Sequence, residues 1–247
     1  AFSGSGQLLY SSVPTFTLAP LQGVMPVAAD LDQDGLPEII VGRFVLNHTL
    51  SDLTVLGPAS GSETDLLGGI VADVNLDGAP EVIVANTIYA GAGGILHQNL
   101  ALPGLGTVGV GNFDADLFPE IVLVDPFSNG RLYLLDHQMN LIWGPVAIPT
   151  SGSPFSNGGP PTIADFDGDG RAEIGVAGDR HYVVFDGDGS ILWQQPTQDL
   201  SSGFTGSSVF DFEGDGQAEV VYADETALRV YNGADGAVLF STPHSSI

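Results

Sequence analysis

Five nine-residue segments place carboxylates at alternate positions. They are Asp30-Leu-Asp-Gln-Asp-Gly-Leu-Pro-Glu38, Asp73-Val-Asn-Leu-Asp-Gly-Ala-Pro-Glu81, Asn112-Phe-Asp-Ala-Asp-Leu-Phe-Pro-Glu120, Asp165-Phe-Asp-Gly-Asp-Gly-Arg-Ala-Glu173 and Asp211-Phe-Glu-Gly-Asp-Gly-Gln-Ala-Glu219. Side chains at positions 1, 3 and 5 converge when the chain turns sharply, and glycine at position 6 permits that turn. With the main-chain carbonyl at position 7 and the carboxylate at 9, each segment offers a set of hard oxygen donors. Such a set suits Ca²⁺, which takes roughly six to eight oxygens in flexible geometry. An EF-hand loop ends on Glu at its twelfth position. Here the twelfth residue of the first segment is Val41, inside an apolar run.

The candidate ligands follow directly. They are Asp30, Asp32, Asp34, Leu36 (carbonyl) and Glu38; Asp73, Asn75, Asp77, Ala79 (carbonyl) and Glu81; Asn112, Asp114, Asp116, Phe118 (carbonyl) and Glu120; Asp165, Asp167, Asp169, Arg171 (carbonyl) and Glu173; and Asp211, Glu213, Asp215, Gln217 (carbonyl) and Glu219. The third segment departs from the others, with Asn112 for the first Asp and Leu117 for the turn glycine, and is expected to be the weakest site. Glu213 is one methylene longer than its counterparts. A plain acidic turn is the competing reading. Charge argues against it: eighteen of the thirty acidic residues lie in these segments, and five bound Ca²⁺ would take the formal charge from −25 to −15. Two carboxylates about 5 Å apart repel by roughly 3 kcal/mol at an effective dielectric near 20, so a metal is expected to be part of the fold.

The elements that must hold these loops are strands. Each segment runs into a short apolar, β-branched stretch, such as Glu38-Ile-Ile-Val-Gly42 or Glu219-Val-Val-Tyr-Ala223. Runs of that length flanked by Gly and Asp read as buried strands. Further along each repeat an apolar pair precedes a usually large residue: Leu8-Leu9-Tyr10, Val55-Leu56-Gly57, Ile95-Leu96-His97, Leu141-Ile142-Trp143, Ile191-Leu192-Trp193 and Val238-Leu239-Phe240. Several follow Gly/Asp-rich hairpin turns. Successive first positions lie 43, 39, 53 and 46 residues apart, near one propeller blade in length. The repeat therefore reads as strand A, acidic loop, strand B, strand C, tight turn, strand D. The expected fold is all-β, a propeller of four-stranded antiparallel blades.

These motifs resemble the FG-GAP/VCBS repeat family, the calcium-binding blades of integrin α-subunit propellers and of many secreted bacterial proteins. The resemblance covers residues 2–246. It implies that each loop joins strands A and B and holds one Ca²⁺, up to five in all. A single propeller domain over 1–247 is expected, with blades at about 17–58, 59–101, 102–150, 151–198 and 199–247. Residues 1–16 read as a strand of a preceding or neighbouring blade, because five A–loop–B units are accompanied by six D-like strands. Either the chain is part of a longer array, or the spare strand pairs with another copy, since unpaired strand edges template such pairing.

Composition removes several function classes. All five cations are Arg and there is no Lys, so a net charge of −25 excludes nucleic-acid binding by phosphate neutralisation. Cys is absent, which removes disulfides, thiolate metal sites and cysteine nucleophiles. No run of about 18 apolar residues exists, so no membrane insertion is expected. Gly104-Leu-Gly-Thr-Val-Gly109 fits the dinucleotide fingerprint by letter but precedes a strand and an acidic loop. The histidines at 48, 97, 137, 181 and 244 show no metal spacing. Tyr10, Trp143, Trp193 and Phe240 share one repeat position and read either as interblade packing or as an aromatic strip for sugars. Asn47-His48-Thr49 is a sequon, which makes Asn47 a candidate glycosylation site. Residues 149–161 read as an interblade loop that could carry sugar on Ser or Thr.

The expected protein is thus an extracellular, non-catalytic, calcium-binding propeller with a structural or adhesive role. Its partner is another protein or itself, with a glycan as a further candidate. Millimolar calcium outside the cell fills even weak loops. The alternative is a carbohydrate-binding or polysaccharide-lyase-type secreted propeller.

Overall fold

A computed structural model describes residues 3–10, 26–51, 53–56, 68–127, 129–150, 158–200 and 205–244. Parts of the expected N-terminal strand and of the 149–161 loop lie outside these residues. No helix is assigned among them, and twenty strands form five four-stranded antiparallel sheets. In every sheet the strands lie in sequence order, A–B–C–D, as the repeat predicts.

The chain divides into two compact units, Ala1–Leu105 and Gly106–Ile247. The first holds sheet one, with β1 (Val27–Ala29), β2 (Glu38–Val41), β3 (Phe44–Leu46) and β4 (Leu53–Val55). Sheet two follows, with β5 (Ile70–Ala72), β6 (Glu81–Val84), β7 (Thr87–Ala90) and β8 (Ile95–Gln98). Ahead of them Leu8 forms an isolated bridge, beyond a turn in which the Gly6 N–H donates to the Ser3 carbonyl at 2.9 Å.

The second unit holds three sheets. Sheet three comprises β9 (Thr107–Gly111), β10 (Glu120–Asp125), β11 (Arg131–Leu135) and β12 (Leu141–Ala147). Sheet four comprises β13 (Thr162–Ala164), β14 (Glu173–Gly178), β15 (His181–Phe185) and β16 (Ile191–Pro196). Sheet five comprises β17 (Ser208–Phe210), β18 (Glu219–Ala223), β19 (Ala227–Tyr231) and β20 (Val238–Pro243). The dinucleotide-like segment enters strand β9, so it has no helix N-terminus to offer a phosphate.

Strands B and C form the core and D forms the exposed margin. β10 and β14 are buried along their whole length, because both faces of a central blade strand meet apolar neighbours. One core lies between sheets three and four, with Phe113, Val122, Val124, Leu134, Ile174 and Phe185. A second, between sheets four and five, gathers Phe166, Tyr182, Val184, Val220, Tyr222 and Tyr231. In the first unit Leu31, Ile40, Val45, Val82 and Tyr89 form the equivalent layer.

The large D-strand residues close these interfaces. Trp143 Nε1 donates to the Gly187 carbonyl in the next sheet's C–D turn at 2.8 Å, and Trp193 Nε1 donates to the Gly233 carbonyl one sheet on. The turn glycines are required there. Gly236 has φ +71°, and a Cβ on it would lie 2.5 Å from the Trp193 ring. Of the two readings of this repeat position, interblade packing therefore describes Trp143 and Trp193.

Candidate metal centres

Each acidic loop is the connection of an A–B hairpin, and register fixes its closing pair. The last residue of strand A lies opposite the ninth-position Glu: Ala29 with Glu38, Ala72 with Glu81, Gly111 with Glu120, Ala164 with Glu173 and Phe210 with Glu219. All five Glu side chains are buried. Each turns one Oε2 back onto the N–H of loop position 2: Leu31 at 2.9 Å, Val74 at 3.0 Å, Phe113 at 2.7 Å, Phe166 at 2.6 Å and Phe212 at 2.9 Å. A buried carboxylate needs such a donor.

The other carboxylates hold the turn by a repeated pattern. Position 5 accepts the N–H of position 7 in every loop, at 2.7–2.9 Å. Position 3 accepts the N–H of position 5 in the first four, from Asp32, Asn75, Asp114 and Asp167. Position 1 accepts the N–H of the turn glycine at 2.9 Å in loops one, two, four and five. Those glycines, Gly35, Gly78, Gly170 and Gly216, have φ of 87–91°. Position 4 is also left-handed, through Gly168 and Gly214 in loops four and five and through Gln33 and Leu76 in loops one and two.

Three loops gather carboxylate oxygens within 4.8 Å of one another: Asp165, Asp167, Asp169 and Glu173; Asp30, Asp32 and Glu38; and Asp114, Asp116 and Glu120. Loop three, expected to be weakest, thus keeps its three carboxylates together by a different route. Asn112 turns its amide onto the Asp116 carbonyl at 2.9 Å, and neither Ala115 nor Leu117 is left-handed. In loop two, Asn75 Nδ2 donates to Glu81 Oε1 at 3.1 Å. In loop five the longer Glu213 carboxyl lies against Glu219.

Electrostatics follow from this crowding. Burial pushes Glu173 up to about 7 against the Phe166 N–H, and Asp167 and Asp165 raise it further. Burial likewise raises Glu81 and Glu120, with Asp77 and Asp114 among the causes. The donor set fits a hard divalent cation: several carboxylates on one turn, no sulfur, and one buried carboxylate already oriented by a backbone donor.

Elsewhere, Asn47 Oδ1 accepts from the Thr49 hydroxyl at 3.1 Å and the Ser51 N–H at 2.9 Å, so the sequon side chain braces its own turn. His137 stacks on Phe118, with ring centroids 4.2 Å apart. Sequence reading missed a second acidic group, the buried Asp125, Asp179, Asp199 and Asp224. Asp224 Oδ2 takes the Gln198 N–H at 2.8 Å and pairs with Arg229, and Tyr222 donates to Asp199. Burial alone would raise Asp224, but those donors and Thr226 hold it well below the usual carboxylate range. The signal was present, since an Asp ends or follows strand B in sheets three, four and five.

Residues 112–176 match the FG-GAP-like repeat family. That segment carries an FG-GAP-like repeat. The matched segment runs from the start of loop three through loop four, and the other loops share its hydrogen-bonding pattern. No curated protein matches the chain in sequence. Among solved structures it is similar to the Vibrio cholerae biofilm matrix protein Bap1, at 17% identity and TM-score 0.54, over 90% of this chain and 69% of that one. It is also similar to the Bacillus licheniformis rhamnogalacturonan lyase PL11, at 21% identity and TM-score 0.54, over 88% of this chain and 38% of the lyase. BBS1N, solved in complex with ARL6DN, gives TM-score 0.58 at 14% identity, over 90% and 68%. These likenesses carry the propeller-type fold.

Proposed function

We propose that this chain is an extracellular calcium-binding repeat protein whose role is structural or adhesive. The observation that carries the reading is the loop itself. Three of the five A–B hairpins gather carboxylate oxygens within 4.8 Å of one another, and every loop ties its buried Glu to the N–H of position 2, whose side chain is buried in the first four repeats. Calcium would be held by Asp30, Asp32, Asp34 and Glu38, and by the corresponding residues of the other loops. It would supply charge neutralisation and fix the turns.

The structural likeness to a biofilm matrix protein supports a place outside the cell, as does the high calcium available there. A carbohydrate-active role has less support, although lyases share the fold. Trp143 and Trp193 are committed between blades, and Arg229 is committed to buried Asp224.

The test is calcium titration of the chelator-stripped chain by calorimetry, with bound metal counted by native mass spectrometry. The reading expects three to five Ca²⁺ per chain at millimolar calcium, together with a rise in melting temperature. A chain that binds none and melts identically in chelator refutes it.

A further inference from the structure

Sheets three and four each seal against the next sheet with an indole, and sheet one has the same surroundings with threonine in the ring's place. The register defines the position. The strand B residue two past the ninth-position Glu pairs with a strand C residue, whose partner in strand D is Trp143 in sheet three and Trp193 in sheet four. In sheet one the same ladder runs from Ile40 to Val45 to Thr54. The letter pattern Val55-Leu56-Gly57 points elsewhere, so only the register reveals the exchange.

The other parts of the seal are in place between sheets one and two. Gly91, in the C–D turn of sheet two, corresponds to Gly187 and Gly233, whose carbonyls take the two indole N–H groups. A Cβ on Gly91 would lie 2.7 Å from the Leu31 carbonyl oxygen, so this turn is seated on loop one as Gly233 is seated on the Phe166 carbonyl. Two residues further along the turn, a Cβ on Gly189 would stand 3.4 Å from the Trp143 ring. One on Gly93 would meet a single atom, Leu56 Cδ2 at 4.0 Å. What lies there is a cavity of about 350 Å³ whose lining includes Leu31, Val45, Thr54, Gly91 and Ala92. That volume is in the range of a small-ligand site. Leu31 and Val45 make a buried apolar floor, and Thr54 and Ala92 stand exposed at the mouth.

We propose that this cavity binds an indole ring, presented on a tryptophan side chain of a partner polypeptide, with the indole N–H donating to the Gly91 carbonyl. The chain itself selects the occupant, since Trp143 and Trp193 fill the equivalent space between the later sheets and make that hydrogen bond. A polypeptide is the source the geometry favours, because the mouth is open and a buried aromatic anchor in a pocket is a common centre of a protein contact. The calcium reading is not needed for this site, and its failure would leave the proposal standing.

The experiment is an NMR titration of the full chain in millimolar calcium with N-acetyltryptophanamide, read at the amides of Thr54, Gly91 and Ala92. Saturable shifts at these three are expected, with an affinity of roughly millimolar strength. N-acetylphenylalaninamide, which has no ring N–H, should bind roughly tenfold more weakly. Thr54→Trp supplies the ring from within. It should melt higher than the wild type and no longer respond to the probe, whereas Thr54→Ser should respond as the wild type does. Circular dichroism checks the fold, and Thr54→Phe, with a smaller ring, replaces the tryptophan variant if that one does not fold. Unmoved amides in the wild type overturn the proposal, and so does a folded T54W that melts lower or still binds the probe. Binding of free indole without binding of N-acetyltryptophanamide overturns it as well, because the cavity would then be closed to a side chain.

Discussion

Replacing Asp167 by Asn should change stability with opposite signs in chelator and in calcium. Asp167 lies in loop four, where four carboxylates place oxygens within 4.8 Å of one another. At that separation a pair of unit charges repels by about 3.5 kcal/mol for an effective dielectric near 20. Asp169 is exposed, and Asp165 and Asp167 are half-buried, so solvent screens much of this. Glu173, raised to about 7, is close to half-protonated at neutral pH and adds only part of a charge. The relief on neutralising Asp167 is therefore about 1–3 kcal/mol, well below the sum of the pair energies. Asn retains the Oδ1 that accepts the Asp169 N–H at 3.0 Å, so the turn's hydrogen bond survives. In chelator, D167N should melt several degrees higher, at roughly 2–4 °C per kcal/mol for a chain of this size. In calcium the variant gives up a charged ligand. A site filled at a hundred times its Kd stabilises by about 2.7 kcal/mol, and a weakened site loses most of that. Scanning calorimetry of both proteins in both buffers gives four melting temperatures whose order must cross. If D167N lowers the melting temperature equally in both, the residue acts through turn geometry and the charge argument fails.

Three further outcomes follow from the same geometry. Glu173 has a metal-free folded value above its unfolded one, so it favours the metal-free fold at low pH and loses that contribution as pH rises through about 7. Calcium binding near pH 7 should then release protons, read as a buffer-dependent enthalpy in calorimetry; a binding enthalpy independent of buffer would contradict this. Gly111→Ala should destabilise by about 1–3 kcal/mol in denaturant melts, because its Cβ would meet Ile163 Cγ2 at 2.5 Å, and Ile163→Ala in the same chain should recover part of the loss. Ala172→Pro removes the N–H that reaches the Asn112 carbonyl at 3.2 Å while installing the residue that loops one to three carry at this position. It should cost about 1 kcal/mol by the same melts and leave the amount of calcium bound unchanged.

The loops, their A–B placement and the four-strand repeat were legible because each rests on local spacing, repeated five times. The left-handed position 4 was hidden, since Gln33 and Leu76 occupy it in two repeats where Gly168 and Gly214 occupy it in others. Loop three departs from the others by letter. Losing the turn glycine altered the path without dispersing Asp114, Asp116 and Glu120, since the register of Gly111 against Glu120 and the Asp114 and Asp116 turns still close the hairpin. The role of Trp143 and Trp193 stayed open in sequence because a stacked sugar and a neighbouring turn ask for the same ring. Only the position of Gly187 and Gly233 beside their indole N–H groups decided it.

Acidic loop and blade interface are one construction in this chain. The ninth-position Glu also holds the N–H of position 2, whose side chain is buried in the first four repeats, as Phe166 is among Tyr182, Val220 and Tyr222. Successive loops are joined as well. The Ala172 N–H reaches the Asn112 carbonyl, and the Ala218 N–H reaches the Asp165 carbonyl at 3.0 Å. Loop two has Pro80 at this position and no N–H to give, and there Gln33 Nε2 crosses to the Gly78 carbonyl at 2.5 Å instead. An ion that tightened loop three or four would therefore fix the plug of its own blade and the carbonyl on which the next loop hangs. Within the second unit, filling of loops three, four and five should be positively coupled, because ordering one loop removes part of the entropy its neighbour must lose. Carboxylates that served only to keep the surface wet would have no reason to share their Glu with the core.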